Sequence, residues 1–211
     1  VYRLPGIEWL ETVEMDTPYG SPSGPVRIAR MGARRIAFLA RHGEAHALPP
    51  HKVNYRANLK ALQDLGAGKV LAVNTVGGIT ERFGPRVLAV PEQIIDYTWG
   101  RISTLCEENG SEVLHVDFTE PYTGSLRKAL LKACMAASVA VVDGGCYAAT
   151  QGPRLESRAE IMRLKRDGCD LVGMTGMPEA GLARELGLQY AALCLVVNPA
   201  AGLGEGEITM D

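Results

Sequence analysis

The chain alternates short apolar runs with amphipathic segments, and the apolar runs predict the strands of a sheet. The run before Gly77-Gly78 is almost continuously apolar, which is typical of a central strand buried on both faces. Two earlier runs, joined at Gly32, predict a β-hairpin. Residues 139–149 form either one glycine-interrupted strand or two. The predicted strands are Val26–Met31, Arg34–Ala40, Lys69–Val76, Arg86–Val90, Gln93–Ile95, Val139–Val142, Gly145–Ala149, Asp170–Gly173 and Leu188–Val197.

Amphipathic segments between these strands predict helices. Ser125 and Ser157 are candidate N-caps, and Pro178 suits the first turn of a helix that stops at Gly187. Strands that alternate with helices predict an α/β protein, an αβα sandwich with a central mixed β-sheet. No repeat, low-complexity segment or linker is recognisable, so residues 1–211 are expected to form a single domain. The predicted helices are Asn58–Leu65, Ser125–Ala137, Ser157–Leu164 and Glu179–Leu186.

The composition limits which binding partners and which cellular compartment are expected for the protein. Of the 211 residues, 46% are hydrophobic and 22% are charged, and the net charge of -2 gives no reason to expect binding to nucleic acid or to an acidic membrane. The five cysteines follow no paired spacing, which is typical of a reducing compartment. Neither a membrane-spanning run nor a signal peptide is recognisable. We therefore expect a cytoplasmic protein.

Candidate chemistry begins just past the hairpin, at Arg41-His42. An arginine can bind two phosphate oxygens at once, and a histidine can donate a further hydrogen bond. For an isolated pair, a solvated strand end is the more common explanation. A metal site is a weaker alternative, because His42, His46 and His51 cluster in the sequence but no cysteine or paired carboxylate completes a tetrahedral set.

Three later strand ends also carry polar groups. Thr75 precedes Gly77-Gly78, whose backbone N–H groups would let an anion approach closely, although Gly-Gly alone is more often a simple turn. Thr175 precedes a predicted helix whose N-terminus favours phosphate, whereas the adjacent Met174 is as easily a core residue. Asn198 follows a mostly apolar strand, where burying its amide is costly without hydrogen-bond partners.

A carboxylate, Glu156, follows the strand predicted at residues 145–149. When ionised it would accept a hydrogen bond from N1–H of a purine, and this hydrogen exists only in a 6-oxopurine. An equally good explanation is that Glu156 lies in the first turn of a helix, where the helix dipole favours a negative charge.

In order and spacing, these motifs resemble the trimeric purine nucleoside phosphorylase and methylthioadenosine phosphorylase family. The resemblance extends from Asp16–Gly20 to Ile208–Asp211 and includes Val53–Asn58 and Glu120–Tyr122. It implies a nucleoside phosphorylase-like fold and a homotrimer. It also implies a small-molecule purine nucleoside and phosphate as substrates, with no cofactor, no metal, and neither nucleic acid nor membrane as a partner.

The resemblance implies roles for individual residues. Asn198 and His42 would be catalytic, Met174 would lie against the ribose, and Leu155 takes the place of an aromatic residue near the base. His115 would be lent to the neighbouring subunit's site. The implied phosphate-binding residues are Arg41, His42, Thr75, Val76 and Thr175. The implied substrate-binding residues are Met174, Leu155, Glu156, Asn198, Pro199, Ala200 and Met210.

Two positions bear on the substrate within this family. Asn198 with Glu156 resembles the 6-oxopurine pattern, because an amide can donate to O6 and accept from a protonated N7 while the carboxylate accepts from N1–H. Met210 replaces a histidine that binds the 5′-hydroxyl, and an apolar thioether suits a methylthio group. The resemblance therefore implies phosphorolysis of 5′-methylthioinosine to hypoxanthine and 5-methylthioribose 1-phosphate. The alternatives are an inosine/guanosine phosphorylase, a methylthioadenosine phosphorylase and a non-catalytic nucleoside-binding protein.

The sequence departs from the family pattern at both ends. The Gly-Gly-Thr-Gly-Leu phosphate loop is not found around Val1–Arg3, and the family's C-terminal helix would follow Asp211. We expect both segments to belong to the whole protein.

Overall fold

The computed structural model describes residues 5–106, 112–206 and 208, and the chain divides into two compact units between Gly68 and Lys69. The first unit pairs three antiparallel strands in sequence order. Val26, Ile28 and Ala61 form its buried core. Its strands are β1 (Glu8–Val13), β2 (Val26–Met31) and β3 (Arg34–Phe38), followed by a 3₁₀ turn (Pro50–Lys52) and helix α1 (Tyr55–Asp64).

The second unit contains a seven-stranded mixed sheet in the order β6-β8-β9-β4-β10-β5-β7. Its strands are β4 (Lys69–Gly78), β5 (Leu88–Val90), β6 (Gln93–Asp96), β7 (Val141–Asp143), β8 (Cys146–Ala149), β9 (Leu171–Gly173) and β10 (Gln189–Pro199). Its helices are a 3₁₀ turn (Glu81–Phe83), α2 (Gly124–Ala136), α3 (Arg158–Arg166) and α4 (Gly176–Glu185). The prediction of an α/β fold with a central mixed sheet is confirmed. That the whole chain forms one domain stays a prediction.

The two longest strands position the candidate site of this unit. Strands β4 and β10 are parallel and pair from Lys69 with Gln189 to Gly78 with Pro199. An irregularity between Val196 and Asn198 shifts the register, so that Asn198 lies opposite Gly77. Because parallel strands end at the same edge of a sheet, the ends of β4 and β10 bring their polar residues side by side.

Apart from shifts of one to three residues in the bounds of most elements, the structure differs from the predicted elements at β1 and at the start of α2. Strand β1 was not predicted because its sequence, EWLETV, mixes charged and apolar residues and contains no continuous apolar run. In the structure, the ring of Trp9 packs against that of Phe38. Of the two alternatives for residues 139–149, the two-strand alternative is confirmed, and Gly144 and Gly145, with φ of 93° and 96°, separate the strands. The N-cap of α2 is Thr123, not Ser125, and it makes no side-chain capping hydrogen bond.

Candidate active site

The end of β4 is a close-packed strand and not the turn that the Gly-Gly alternative suggested. A Cβ atom on Gly78 would lie 1.7 Å from the Phe83 carbonyl oxygen, and one on Gly77 would lie 3.1 Å from Val172 Cγ1. Both glycines are therefore needed for neighbouring backbone to approach. Alternation along the strand leaves Thr75 exposed and Val76 buried, with the side chain of Asn74 on the buried face. The prediction that this strand is buried on both faces is therefore wrong for the single chain, because its other face is exposed.

Thr175 is buried and linked to β4. Its Oγ1 donates to Asn74 Oδ1 at 3.3 Å, and its backbone N–H donates to Tyr147 Oη at 3.4 Å. It occupies the N-cap position of α4, and the half-buried Met174 precedes it. Asn74 is 4% exposed, and its Nδ2 has no hydrogen-bond partner among the described residues. The Thr175 hydroxyl thus lies at a polar contact between the end of β9 and the buried face of β4.

The first turn of α4 is not a regular helix start. Met177 has the extended φ and ψ of -121° and 142°, which interrupts the helix between Gly176 and Pro178. Glu179, in that turn, is 5% exposed and accepts a hydrogen bond from Tyr190 Oη at 2.8 Å. Sequence reasoning gave Glu179 no role, because a carboxylate in the first turn of a helix needs no special explanation.

Asn198 lies where β10 ends and lines a cavity of about 290 Å³. Its side chain is half-buried, and Nδ2 donates to the Pro199 carbonyl oxygen at 2.6 Å. An amide nitrogen carries two hydrogens, so a second donor remains for a ligand. The cavity is lined by Val197, Asn198, Pro199, Ala200, Gly202, Gly204, Glu205, Gly206 and Ile208.

Glu156 is held by a hydroxyl in a different cavity. Thr150 Oγ1 donates to Glu156 Oε1 at 2.6 Å. Helix α3 begins after the N-cap Ser157, so Glu156 precedes the helix and the first-turn explanation is wrong. The cavity, of about 480 Å³, includes Tyr97, Trp99 and Gln151 and shares no lining residue with the Asn198 cavity. The structure thus places the two base-recognition candidates in separate cavities, and half-buried Leu155 lines neither.

Charges around the Glu156 cavity are fixed by local pairs. Two hydrogen bonds from Arg154, together with the backbone N–H of Ser157, hold the pKa of Glu160 at about 2, well below its usual range. Burial, together with a 2.8 Å hydrogen bond to Asp167, raises the pKa of Tyr97 far above its ordinary value. At neutral pH, Tyr97 is therefore an uncharged phenol and Glu160 an ion-paired carboxylate.

Arg101 joins the two segments that carry Glu156 and Thr175. Its Nη1 donates to the carbonyl oxygens of Met174 and Met177, at 2.8 and 2.7 Å. Its Nη2 donates to those of Thr150 and Gln151, at 3.2 and 2.8 Å. Arg101 was not predicted from the sequence, because these acceptors are 49 to 76 residues away along the chain and no local sequence pattern indicates the contacts.

In the first unit, Arg41 and His42 follow β3 and are half-buried. His42 Nδ1 lies 2.7 Å from the Leu48 carbonyl oxygen, which can only accept, so Nδ1 carries a hydrogen. The neutral ring then presents Nε2 as an acceptor, and only the protonated ring offers a phosphate oxygen a second N–H. The rings of His42 and His46 lie 4.6 Å apart.

The remaining sequence expectations concern other parts of the chain. His115 is exposed in an irregular segment, and Met210 lies outside the described residues. Across residues 5–106, 112–206 and 208, no group of three or more His, Cys, Asp or Glu side chains is placed to hold a metal ion, as the histidine-cluster alternative would require. Within those same ranges, no helix has the length and apolar character needed to cross a membrane.

Comparison with known proteins assigns the family. The family model of the Phosphorylase superfamily matches residues 5–211, and the chain belongs to this superfamily. It is 65% identical over 211 residues to a protein of Xanthomonas campestris pv. campestris named "probable S-methyl-5'-thioinosine phosphorylase", covering 100% of this chain and 84% of that protein. A protein of Pseudomonas syringae pv. tomato with the same name is 54% identical over 208 residues, which are 99% of this chain and 85% of that protein.

Solved structures agree with this assignment. Methylthioadenosine phosphorylase from Schistosoma mansoni, in complex with adenine, superposes with a TM-score of 0.94 at 32% identity. The match covers 98% of this chain and 79% of that chain. The fold and the family therefore agree with the nucleoside phosphorylase resemblance of the sequence motifs.

Proposed function

We propose that the protein cleaves a 6-oxopurine nucleoside with phosphate, and that 5′-methylthioinosine is its preferred substrate. The observation that carries the proposal is the similarity, at 54% and 65% identity over essentially the whole chain, to proteins named for thioinosine phosphorolysis. The products would be hypoxanthine and 5-methylthioribose 1-phosphate, which makes the enzyme a pentosyltransferase.

The hydrogen-bonding groups at the site support a 6-oxopurine. Glu156 receives the Thr150 hydroxyl hydrogen on one oxygen, and its remaining lone pairs suit N1–H of hypoxanthine. Asn198 uses one Nδ2 hydrogen on Pro199, which leaves the other for O6 and Oδ1 for a protonated N7. For one purine to meet both groups, it would have to extend from one cavity into the other. Leu155, Pro199 and Ala200 would add apolar contacts.

The proposed reaction needs positioning more than proton transfer. A phosphate oxygen attacks the anomeric carbon, the bond from that carbon to N9 breaks, and its electron pair passes to the purine. The purine takes up one proton from solvent at N7, and the hydrogen phosphate group releases one proton to solvent as it becomes the sugar phosphate, so the protons balance. Arg41, His42, Thr75, Val76 and Thr175 would hold the phosphate, and Met174 would support the ribose. Asn198 would accept from N7–H and so stabilise the leaving base. Phosphate is a co-substrate, and the proposal includes no cofactor and no metal.

The proposal includes a homotrimer in which His115 completes a neighbouring site. Val113 and Leu114, beside it, expose 69% and 48% of their surface in the single chain, and they would supply apolar area to such a subunit contact. It also includes Met210 against the 5′-methylthio group. It places the enzyme in the cytoplasm, because its five cysteines are free and follow no paired spacing.

A substrate panel at fixed phosphate tests the proposal. Methylthioinosine, inosine, guanosine and methylthioadenosine are compared by kcat/KM, with release of the free base followed by chromatography. We expect methylthioinosine to be preferred and turnover to require phosphate. A preference for inosine would instead favour a purine nucleoside phosphorylase activity. A Streptomyces coelicolor protein with that name is 45% identical over 201 residues, which are 92% of this chain and 72% of that protein. Binding without turnover would indicate a nucleoside-binding protein.

A further inference from the structure

We propose that Arg101 is a positioning residue that keeps the base-binding segment in register with the ribose- and phosphate-binding segment. The base-binding segment is defined here as Thr150–Glu156, and the ribose- and phosphate-binding segment as Gly173–Met177. The inference rests on the proposed function for its effect on catalysis, but the contact between the segments is testable without any substrate.

The guanidinium of Arg101 is a shared partner for four main-chain carbonyls. Two belong to the base-binding segment and two to the ribose- and phosphate-binding segment, at distances from 2.7 to 3.2 Å. Its Nε also donates to Gln151 Oε1 at 3.3 Å, and the same oxygen accepts from the backbone N–H of Trp99. A planar cation with five N–H donors can satisfy such a set, whereas a lysine ammonium has three donors on one atom.

The sheet itself cannot hold these segments together beyond its last pair. Strands β8 and β9 are parallel, and their ladder ends where Ala149 pairs with Gly173. One further backbone hydrogen bond, from Thr150 N–H to the Gly173 carbonyl oxygen at 2.8 Å, continues it. Past that point, the contacts of Arg101 continue the connection as far as Gln151 and Met177.

Loss of the Arg101 side chain would leave these carbonyls without a cationic partner. The two segments would then stay joined through Thr150 and Gly173 but would move separately beyond that point. Glu156 would then no longer sit at a fixed distance from Met174 and Thr175. A misplacement of about 1 Å in a reacting complex can lower the rate roughly a hundredfold. We therefore expect a fall of about tenfold to a hundredfold in kcat/KM for the nucleoside.

Arg127 provides a matched control. It also donates to two main-chain carbonyl oxygens, those of Pro91 at 2.8 Å and Val90 at 3.1 Å, and it pairs with Asp143. These residues lie at the ends of β5 and β7, and none is in either segment. Arg127→Ala should cost similar stability without separating the segments.

The experiment compares Arg101→Ala, Arg101→Lys and Arg127→Ala with the unmodified enzyme. Hydrogen exchange measured by mass spectrometry should show faster exchange in peptides covering residues 150–156 and 173–177 for both Arg101 variants and not for Arg127→Ala. In steady-state assays with methylthioinosine and phosphate, Arg101→Ala should lose kcat/KM as stated, and guanidinium chloride well below its denaturing range should restore part of it. Arg127→Ala should stay within about twofold of the unmodified enzyme.

Three results would overturn the inference: unchanged exchange in both segments, faster exchange with unchanged kcat/KM, or a loss in Arg101→Ala no greater than in Arg127→Ala and insensitive to guanidinium. If the unmodified enzyme releases no base from methylthioinosine, the proposed function fails. The exchange measurement then still decides whether Arg101 holds the segments together.

Discussion

At the scale of single residues, the candidate base-binding groups owe their orientation to hydrogen bonds within the protein. Glu156 is fixed by the hydroxyl of Thr150, and Asn198 by the carbonyl of the residue that follows it. In each case one hydrogen-bonding position is occupied within the protein and the others stay open to a ligand. Such prior orientation lowers the entropy that binding must offset.

Replacing Asn198 with aspartate should move base preference towards 6-aminopurines. A carboxylate only accepts, so it suits the N6 amino group of adenine and opposes O6 of hypoxanthine, and an unpaired buried group costs about 1–3 kcal/mol. We expect the ratio of kcat/KM for methylthioadenosine to that for methylthioinosine to rise at least about tenfold. Asn198→Ala, which removes donor and acceptor together, should lower both values without reversing the preference. An unchanged ratio in Asn198→Asp would contradict the role given to this residue.

Removing the hydroxyl of Thr150 should release Glu156. A hydrogen bond to a charged group contributes about 1.5–3 kcal/mol, so Thr150→Val is expected to lower kcat/KM for methylthioinosine by roughly 10- to 150-fold. The substitution keeps the shape of the side chain and loses the hydroxyl, which also lies 3.3 Å from the Gly173 carbonyl oxygen. Thr150→Ser, which keeps the donor, serves as the control and should remain close to the unmodified enzyme. Equal activities in the two variants would show that the contact does not orient Glu156 for binding.

The sequence predicts a site residue when the pattern that marks it lies next to it in the chain, and misses it when its role depends on contacts with distant residues. Thr175 and Asn198 follow apolar strands directly, so the strand pattern alone draws attention to them. Arg101 and Thr150 act through contacts with distant backbone or with a side chain in another turn, and neither stands in a recognisable motif. The placement of Glu156 and Asn198 in separate cavities likewise depends on tertiary packing, which spacing along the chain does not encode.

At the scale of elements, the long central strands are the best predicted and the helix starts the least. Strands β4 and β10 are long, apolar and central, so their hydrophobic runs are unambiguous. Strand β1 lies at an edge and is largely exposed, and its polar residues conceal it. Both predicted serine caps fit the same sequence rule, yet only Ser157 forms a capping box, in which its side chain and that of Glu160 bond each other's backbone N–H groups.

The two serines offer a direct measurement of this difference. Ser157→Ala removes a capping hydrogen bond to the backbone N–H of Glu160 and should lower the free energy of unfolding by about 1 kcal/mol. Ser125→Ala, at an exposed position inside α2, should change it by less than about 0.5 kcal/mol. Urea denaturation followed by circular dichroism measures both. Equal losses would mean that the capping box adds nothing to the stability of α3.

At the scale of the whole molecule, the proposal predicts that active sites are shared between subunits, and mixing of inactive variants tests this. In a cyclic trimer with random assembly, a 1:1 coexpression of His115→Ala and Asn198→Ala leaves about a quarter of the sites with both residues intact. We expect activity to approach that fraction, above the sum of the two variants alone. Coexpression of Asn198→Ala with Thr175→Ala should restore none, because both residues belong to the same subunit's site. If the first mixture is no more active than the second, His115 does not serve a neighbouring subunit. A site shared between subunits must regain activity whenever an intact His115 from one subunit meets an intact Asn198 from the next.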